Sequence, residues 1–157
     1  MATKQQSNNE GKYPVLSVRQ PWATMIVCGI KDVEFRSWNM KYRGPLLIHA
    51  SATATSDHIG RMYWHLGSSE ELIRSLPLGA YVGLVDVVDV DEWPGEDGDP
   101  DQYGILLENP RMFEDEFKAK GAAGIFYPTD EDWKKIQLAV KKAQKELEEL
   151  QVTARNA

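Results

Sequence analysis

The stretch LSVRQPWATMIVCGIKDVEFRSWNMKYRGPLLIHAS, Leu16 to Ser51, decides how the chain is read. Val15-Leu16-Ser17-Val18 has the β-branched, apolar character of a short strand. Pro21 follows where a first helical turn tolerates proline, and Gly29 stands where a helix stops, so Pro21 to Cys28 reads as one short helix. Asp32 to Ser37 alternates charged and apolar residues, the period of a strand with one buried face, and Glu34 and Arg36 share a side of it. After a turn at Lys41 to Gly44, Pro45 to Ala50 is a compact apolar run suited to an interior strand, with His49 its odd member.

Downstream, Tyr81 to Asp89 is valine-rich and reads as a strand, with Gly83 where a bulge or a close backbone approach would fit. Trp93 to Asp101 is an acidic loop, Tyr103 to Leu107 returns to strand, and Asn109-Pro110 punctuates the chain. Ile125 to Tyr127 is a last brief strand. Thr129 caps a final helix in which Trp133, Ile136, Val140, Ala143, Leu147 and Leu150 recur at helical spacing, with a far end expected to fray. Ser56 to Leu66 and Ser68 to Leu76 read as two further helices, the second opened by a Ser68/Glu71 capping box. Short helices between strands, without regular alternation of strand and long helix, argue for an α+β domain with a mixed or barrel-like sheet. The expected division is a disordered polar tail at 1–12, the domain proper at 13–128 and the C-terminal helix at 129–157.

A chain of 157 residues, 42% hydrophobic and 27% charged, fits one folded domain. It has no uninterrupted apolar run of membrane-spanning length, and its first residues lack the apolar core of a secretion signal, so a cytoplasmic, membrane-free protein is expected. One cysteine, Cys28, and three scattered histidines provide neither a disulfide nor a spaced zinc set. GxGxxG, P-loop and GxSxG motifs are absent, so no cofactor and no metal are expected. The net charge of −6 gives no overall pull toward polyanions. Locally the balance differs: Lys12, Arg19, Lys31, Arg36, Lys41 and Arg43 outnumber Asp32 and Glu34. Between Asp86 and Glu116, only Arg111 offsets a long acidic run.

Gln20-Pro21-Trp22, Gly29, Lys31, the run Glu34-Phe35-Arg36-Ser37-Trp38, and Arg43-Gly44 before an apolar strand together resemble the ASCH family. The YVGLVDVVDV run and the Tyr103 to Gly121 segment extend the likeness over most of Tyr13 to Pro128. The resemblance implies a PUA-like mixed β-barrel with short flanking helices, a cleft beside the first helix, and RNA or another single-stranded nucleic acid as partner. Arg19, Gln20, Trp22, Lys31, Arg36, Trp38, Lys41 and Arg43 are the expected nucleic-acid contacts. Arginine suits bidentate phosphate pairing, and Trp22, Trp38 and Tyr42 offer stacking faces, Trp38 the best of them. The plainer readings are that Trp22 is core, that Glu34 and Arg36 only pair with each other, and that His49, His58 and His65 are ordinary residues.

Some small ASCH-like proteins are amidohydrolases of N4-acetylcytidine that work through a lysine, a threonine and a glutamate. Lys31 matches the lysine, but Glu34 stands at the threonine's place, so the hydroxyl is missing there; Asp86 and Asp89 both remain open as the third carboxylate. Lys31 and Glu34 are nevertheless the catalytic candidates of an alternative hydrolase or ribonuclease acting on a nucleoside-sized ligand or RNA. A third reading is a protein-interaction adaptor that docks through the acidic loop Glu92 to Asp101 or the last helix.

Overall fold

The structure is a computed structural model and describes residues 9–53 and 75–156. The two helices read between Ser56 and Leu76 lie, up to residue 74, outside the described residues, with His58 and His65; so do residues 1–8. Six strands form one mixed sheet: β1 (Val15–Val18), β2 (Val33–Arg36), β3 (Gly44–Ala50), β4 (Ala80–Trp93), β5 (Gln102–Lys118) and β6 (Ile125–Phe126). Helix α1 (Trp22–Val27) joins β1 to β2, and α2 (Asp130–Arg155) closes the chain. The order across the sheet is β2-β5-β4-β3-β1-β6, parallel only between β1 and β3. It curls into an α+β half-barrel.

The curl comes from the β4–β5 hairpin, much longer than the sequence suggests because Asn109-Pro110 bends the strand instead of ending it. Asp86 pairs with Glu108 and Leu84 with Arg111, so Asn109 and Pro110 together stand opposite Val85. Asn109 takes a left-handed φ of 53°, and Pro110, which has no N–H for a ladder, is tolerated in such a bulge. Further irregularities at Tyr81/Gly83 and Val87/Asp89 add bend. Next to this bulge the buried Arg111 donates 2.7 Å to Asp86 and 3.1 Å to the Asn109 carbonyl. The charge that offset the acidic run in sequence thus holds the kink.

Two cores flank the sheet. Leu16, Val18, Leu46, Ile48, Val85 and Ile105 pack on one face with Ala23, Ile26 and Val27 of α1. Val15, Leu47, Tyr81, Leu84 and Phe113 pack on the other with Ile136, Val140 and Ala143 of α2. Strand β3 feeds both, which is why its sequence is continuously apolar. Helix α2 starts as expected, with Thr129 Oγ1 accepting from the Asp132 amide at 3.1 Å and three acids in its first turn. It runs to Arg155; past Ala143 it has no buried residue, and Leu150 is 67% exposed.

Lys12, read as the end of a disordered tail, is buried instead. Its Nζ donates 2.9 Å to the Pro128 carbonyl and pairs at 2.7 Å with Asp130, while Tyr13 meets Trp133 edge-on at 5.3 Å. A polar composition hid this because the lysine's partners lie more than a hundred residues away.

Gly83 is where α1 seats. A Cβ there would stand 2.5 Å from the Arg111 carbonyl oxygen and 2.6 Å from Val27 Cγ1, both packed against the sheet. Gly83→Ala is expected to lose about 1–3 kcal/mol of stability in urea denaturation through this overpacking. An unchanged midpoint would mean that α1 can lift from β4 without cost.

Candidate nucleic-acid interface

Strand β2 alternates as expected, with Glu34 and Arg36 on one side, and the charged side is the covered one: Glu34 is 8% exposed and Phe35 43%. An edge strand can bury its charged side where partners wait, and here they do. Glu34 lies 3.2 Å from Arg36 Nη2 and 3.8 Å from Lys31 Nζ. Arg36 Nη2 also donates 2.9 Å to the Ser17 backbone carbonyl on β1. Phe35, on the other side, packs edge-on against Trp93 at 5.6 Å between centroids.

Between β2, β1, the end of β3 and the segment after β5 lies an open cleft of about 770 Å³. Its lining includes Ser17, Arg19, Trp22, Glu34, Arg36, His49, Ser51, Thr53 and the small residues Gly121 to Gly124. That volume falls in the range of sites that enclose a nucleotide-sized ligand, roughly 300–1,000 Å³. Glu34 is the one acid among these lining residues, against two arginines, with Lys31 behind it. A locally cationic site therefore sits on an anionic chain.

Arg36 spends one nitrogen on the protein. Nη2 serves both Ser17 and Glu34, whereas Nε and Nη1 make no hydrogen bond among the described residues. Nε–H and the two Nη1–H stay available to an oxyanion as separate donors, since both forks of the guanidinium include Nη2. Arg19 is exposed, and its guanidinium has no side-chain partner among the described residues. Trp22 is half-buried: it packs on the core and also lines the cleft.

Other expected contacts lie elsewhere. Gln20 is buried; its Nε2 donates 2.9 Å to the Pro77 carbonyl and its Oε1 accepts 3.0 Å from the Thr24 amide, so its amide ties α1 to the chain. Trp38 and Tyr42 pack against the core outside the cleft lining, the Tyr42 hydroxyl donating 2.7 Å to the Pro45 carbonyl. Arg43 donates 2.8 Å to the Met40 carbonyl and lies 3.6 Å from Asp89. Lys41 is exposed and also outside the lining. Lys31 and Glu34 do meet, but Lys31 borders a separate small cavity with Asp32 and Glu108. The acidic run is partly consumed internally, Asp86 by Arg111, Asp89 by Arg43, Glu114 by Lys142; Trp93 and Glu92 belong to β4, and residues 94–101 form the exposed turn.

Sequence reading singled out His49 but missed its partner. His49 Nδ1 lies 2.8 Å from Ser17 Oγ, and Nε2 lies 2.8 Å from the Ala119 carbonyl oxygen. The register pairs Ser17 directly with His49 across the parallel β1–β3 ladder. Both residues sit inside apolar runs, and the parallel pairing of those runs was the signal that would have joined them.

Residues 16–148 match the model of the ASCH domain. The chain belongs to the ASCH domain family. Over 119 residues it is 34% identical to Activating signal cointegrator 1 of Homo sapiens and 32% identical to that of Mus musculus, alignments that cover 68% of this chain. It spans about a fifth of the length of these curated relatives, 20% of each. The crystal structure of ASCH from Zymomonas mobilis superposes with a TM-score of 0.53 at 14% identity, over 80% of this chain and 93% of that one. A mutant of the same protein gives 0.52. The likeness shows the shared α+β, PUA-like half-barrel. ASCH domains are PUA-like modules generally linked to RNA binding, so interaction with nucleic acid in general belongs to the family. Among the described residues no helix is long and apolar enough to cross a membrane.

Burial holds the His49 imidazole below its ordinary value of 6.5, with the Ala119 carbonyl and Asp132 opposing. An unfolded chain then takes up a proton before the folded one, so this residue's share of stability is present above pH 6.5 and is lost as pH falls toward the lowered value. Urea titrations across that window should show a steeper acid loss in the wild type than in His49→Gln, the other two histidines being the same in both proteins. Parallel curves would mean that His49 is not held neutral by the fold.

Proposed function

We propose that the ASCH cleft binds single-stranded RNA, with Arg36 and Arg19 on backbone phosphates and Trp22 against a base. The observation that carries this reading is the partly used guanidinium of Arg36 in the cleft lining, held through Nη2 by Ser17 and Glu34 while Nε and Nη1 make no hydrogen bond among the described residues. A guanidinium fixed this way gives up little side-chain freedom when it takes an oxyanion. Trp22 beside it supplies the face that an unpaired base stacks on, a contact a duplex does not offer because its bases are already stacked.

The charge distribution favours the same ligand. A net charge of −6 opposes extended nonspecific contact with duplex, while a few cations in one cleft can hold a short strand. The hydrolytic alternative through Lys31 and Glu34 gains less support, because the Lys31 ammonium lies beside Glu34 and outside the cleft lining.

The test is a fluorescence-anisotropy titration of labelled single-stranded RNA and duplex DNA at several salt concentrations. Arg19→Gln and Arg36→Gln are each expected to weaken RNA binding several-fold, and to lower the slope of log affinity on log salt by about 0.7 for each phosphate no longer neutralised. Arg19→Gln should do so with an unchanged melting temperature. Salt-dependent RNA binding untouched by both substitutions would place the RNA on another face.

A further inference from the structure

His49 imposes a direction on the hydrogen bonds of the cleft wall. The Ala119 carbonyl oxygen, 2.8 Å from Nε2, can only accept, so Nε2 carries the proton of the neutral ring. Nδ1 is then a bare lone pair, and Ser17 Oγ, 2.8 Å away, must donate to it. Ser17 thereby spends its single hydroxyl hydrogen. What it presents to the cleft is an oxygen that accepts and does not donate.

The arrangement is braced on several sides. The His49 ring meets Tyr81 edge-on at 5.4 Å and Phe126 at 6.3 Å. Gly121 closes over the pair: a Cβ there would stand 2.5 Å from Ser17 Oγ and 2.7 Å from His49 Cε1. On its backbone side, Ser17 accepts from Nη2 of Arg36, a cleft-lining residue whose Nε and Nη1 make no hydrogen bond among the described residues. An acceptor-only hydroxyl therefore stands next to an anion seat.

We propose that Ser17, oriented by His49, is a specificity-determining residue that accepts a hydrogen bond from the ribose 2′-hydroxyl beside the phosphate held by Arg36. The inference rests on the RNA reading of the cleft and adds what the cleft discriminates. In a polynucleotide the 2′-hydroxyl is the donor nearest the backbone phosphate, whereas base amino groups lie beyond the sugar, and DNA has no donor at that place. Glu34, the acid of this lining, is already engaged by Lys31 and Arg36.

The experiment measures binding of one oligonucleotide sequence made as RNA, DNA, 2′-fluoro-RNA and 2′-amino-RNA. The fluoro form keeps an electronegative 2′ group but cannot donate; the amino form can. Wild type is expected to bind RNA and 2′-amino-RNA alike, and the fluoro and DNA forms about three- to tenfold more weakly, the value of one neutral hydrogen bond. Ser17→Ala should bring RNA and fluoro-RNA to the same affinity. Ser17→Cys, which keeps a weak donor for His49 and replaces the oxygen acceptor with sulfur, should do the same if the alanine variant does not fold. Equal wild-type binding of RNA and fluoro-RNA overturns this proposal and leaves the RNA site standing. A donor preference that persists in a folded Ser17 variant moves the contact to another residue. Failure to bind any of the four overturns the RNA reading as well.

Discussion

The interaction on which the rest depends is the bond from Arg36 Nη2 to the Ser17 carbonyl. Strands β2 and β1 are four places apart in the sheet, so they meet only if the sheet curls. The bulges of the β4–β5 hairpin supply the bend, and the guanidinium spans what remains. Without Glu34 to neutralise it, a half-buried arginine at this junction would carry a large desolvation cost; without the arginine, Glu34 would be a buried carboxylate supported by Lys31 alone at 3.8 Å. The trio leaves one net positive charge, and two of its members, Glu34 and Arg36, line the cleft. Shape and charge of the cleft thus have the same origin.

That origin explains which parts were legible in the sequence. Local rules served where the cause was local: Pro21 and Gly29 bracket α1, Thr129 caps α2, and the even apolar run of β3 reports a strand buried on both faces. They served less well where a residue's partner is distant. Asn109-Pro110 has turn chemistry, and the turn is real, but a bulge uses it inside a strand whose partner lies more than twenty residues earlier. The alternation around Glu34 and Phe35 showed a two-sided strand but not which side is covered, and the burial of the charged side follows from cations that arrive from the helix end and from β2 itself.

The cleft shows the same division. Arg19, Trp22, Glu34 and Arg36 were named from the sequence and come together. Gln20, Trp38, Lys41 and Arg43 share the motif with them in sequence but not the cleft, because a motif also contains the residues that build the platform: Gln20 anchors α1, and Arg43 ties down the turn before β3. The Ser17–His49 pair stayed hidden for a topological reason. Only a parallel register between two strands separated by a helix and a third strand sets those residues side by side.

The buried contact of Lys12 with the Pro128 carbonyl and Asp130 has a mechanical side. It fastens the segment before β1 to the first turn of α2, so a pull applied upstream of residue 12 loads the helix as well as the sheet. The distal half of α2, which has no buried residue after Ala143, extends about 18 Å at 1.5 Å per residue to Arg155. Tension entering upstream of residue 12 is therefore shared between β1 and the helix, and the strand that frames the cleft does not carry it alone.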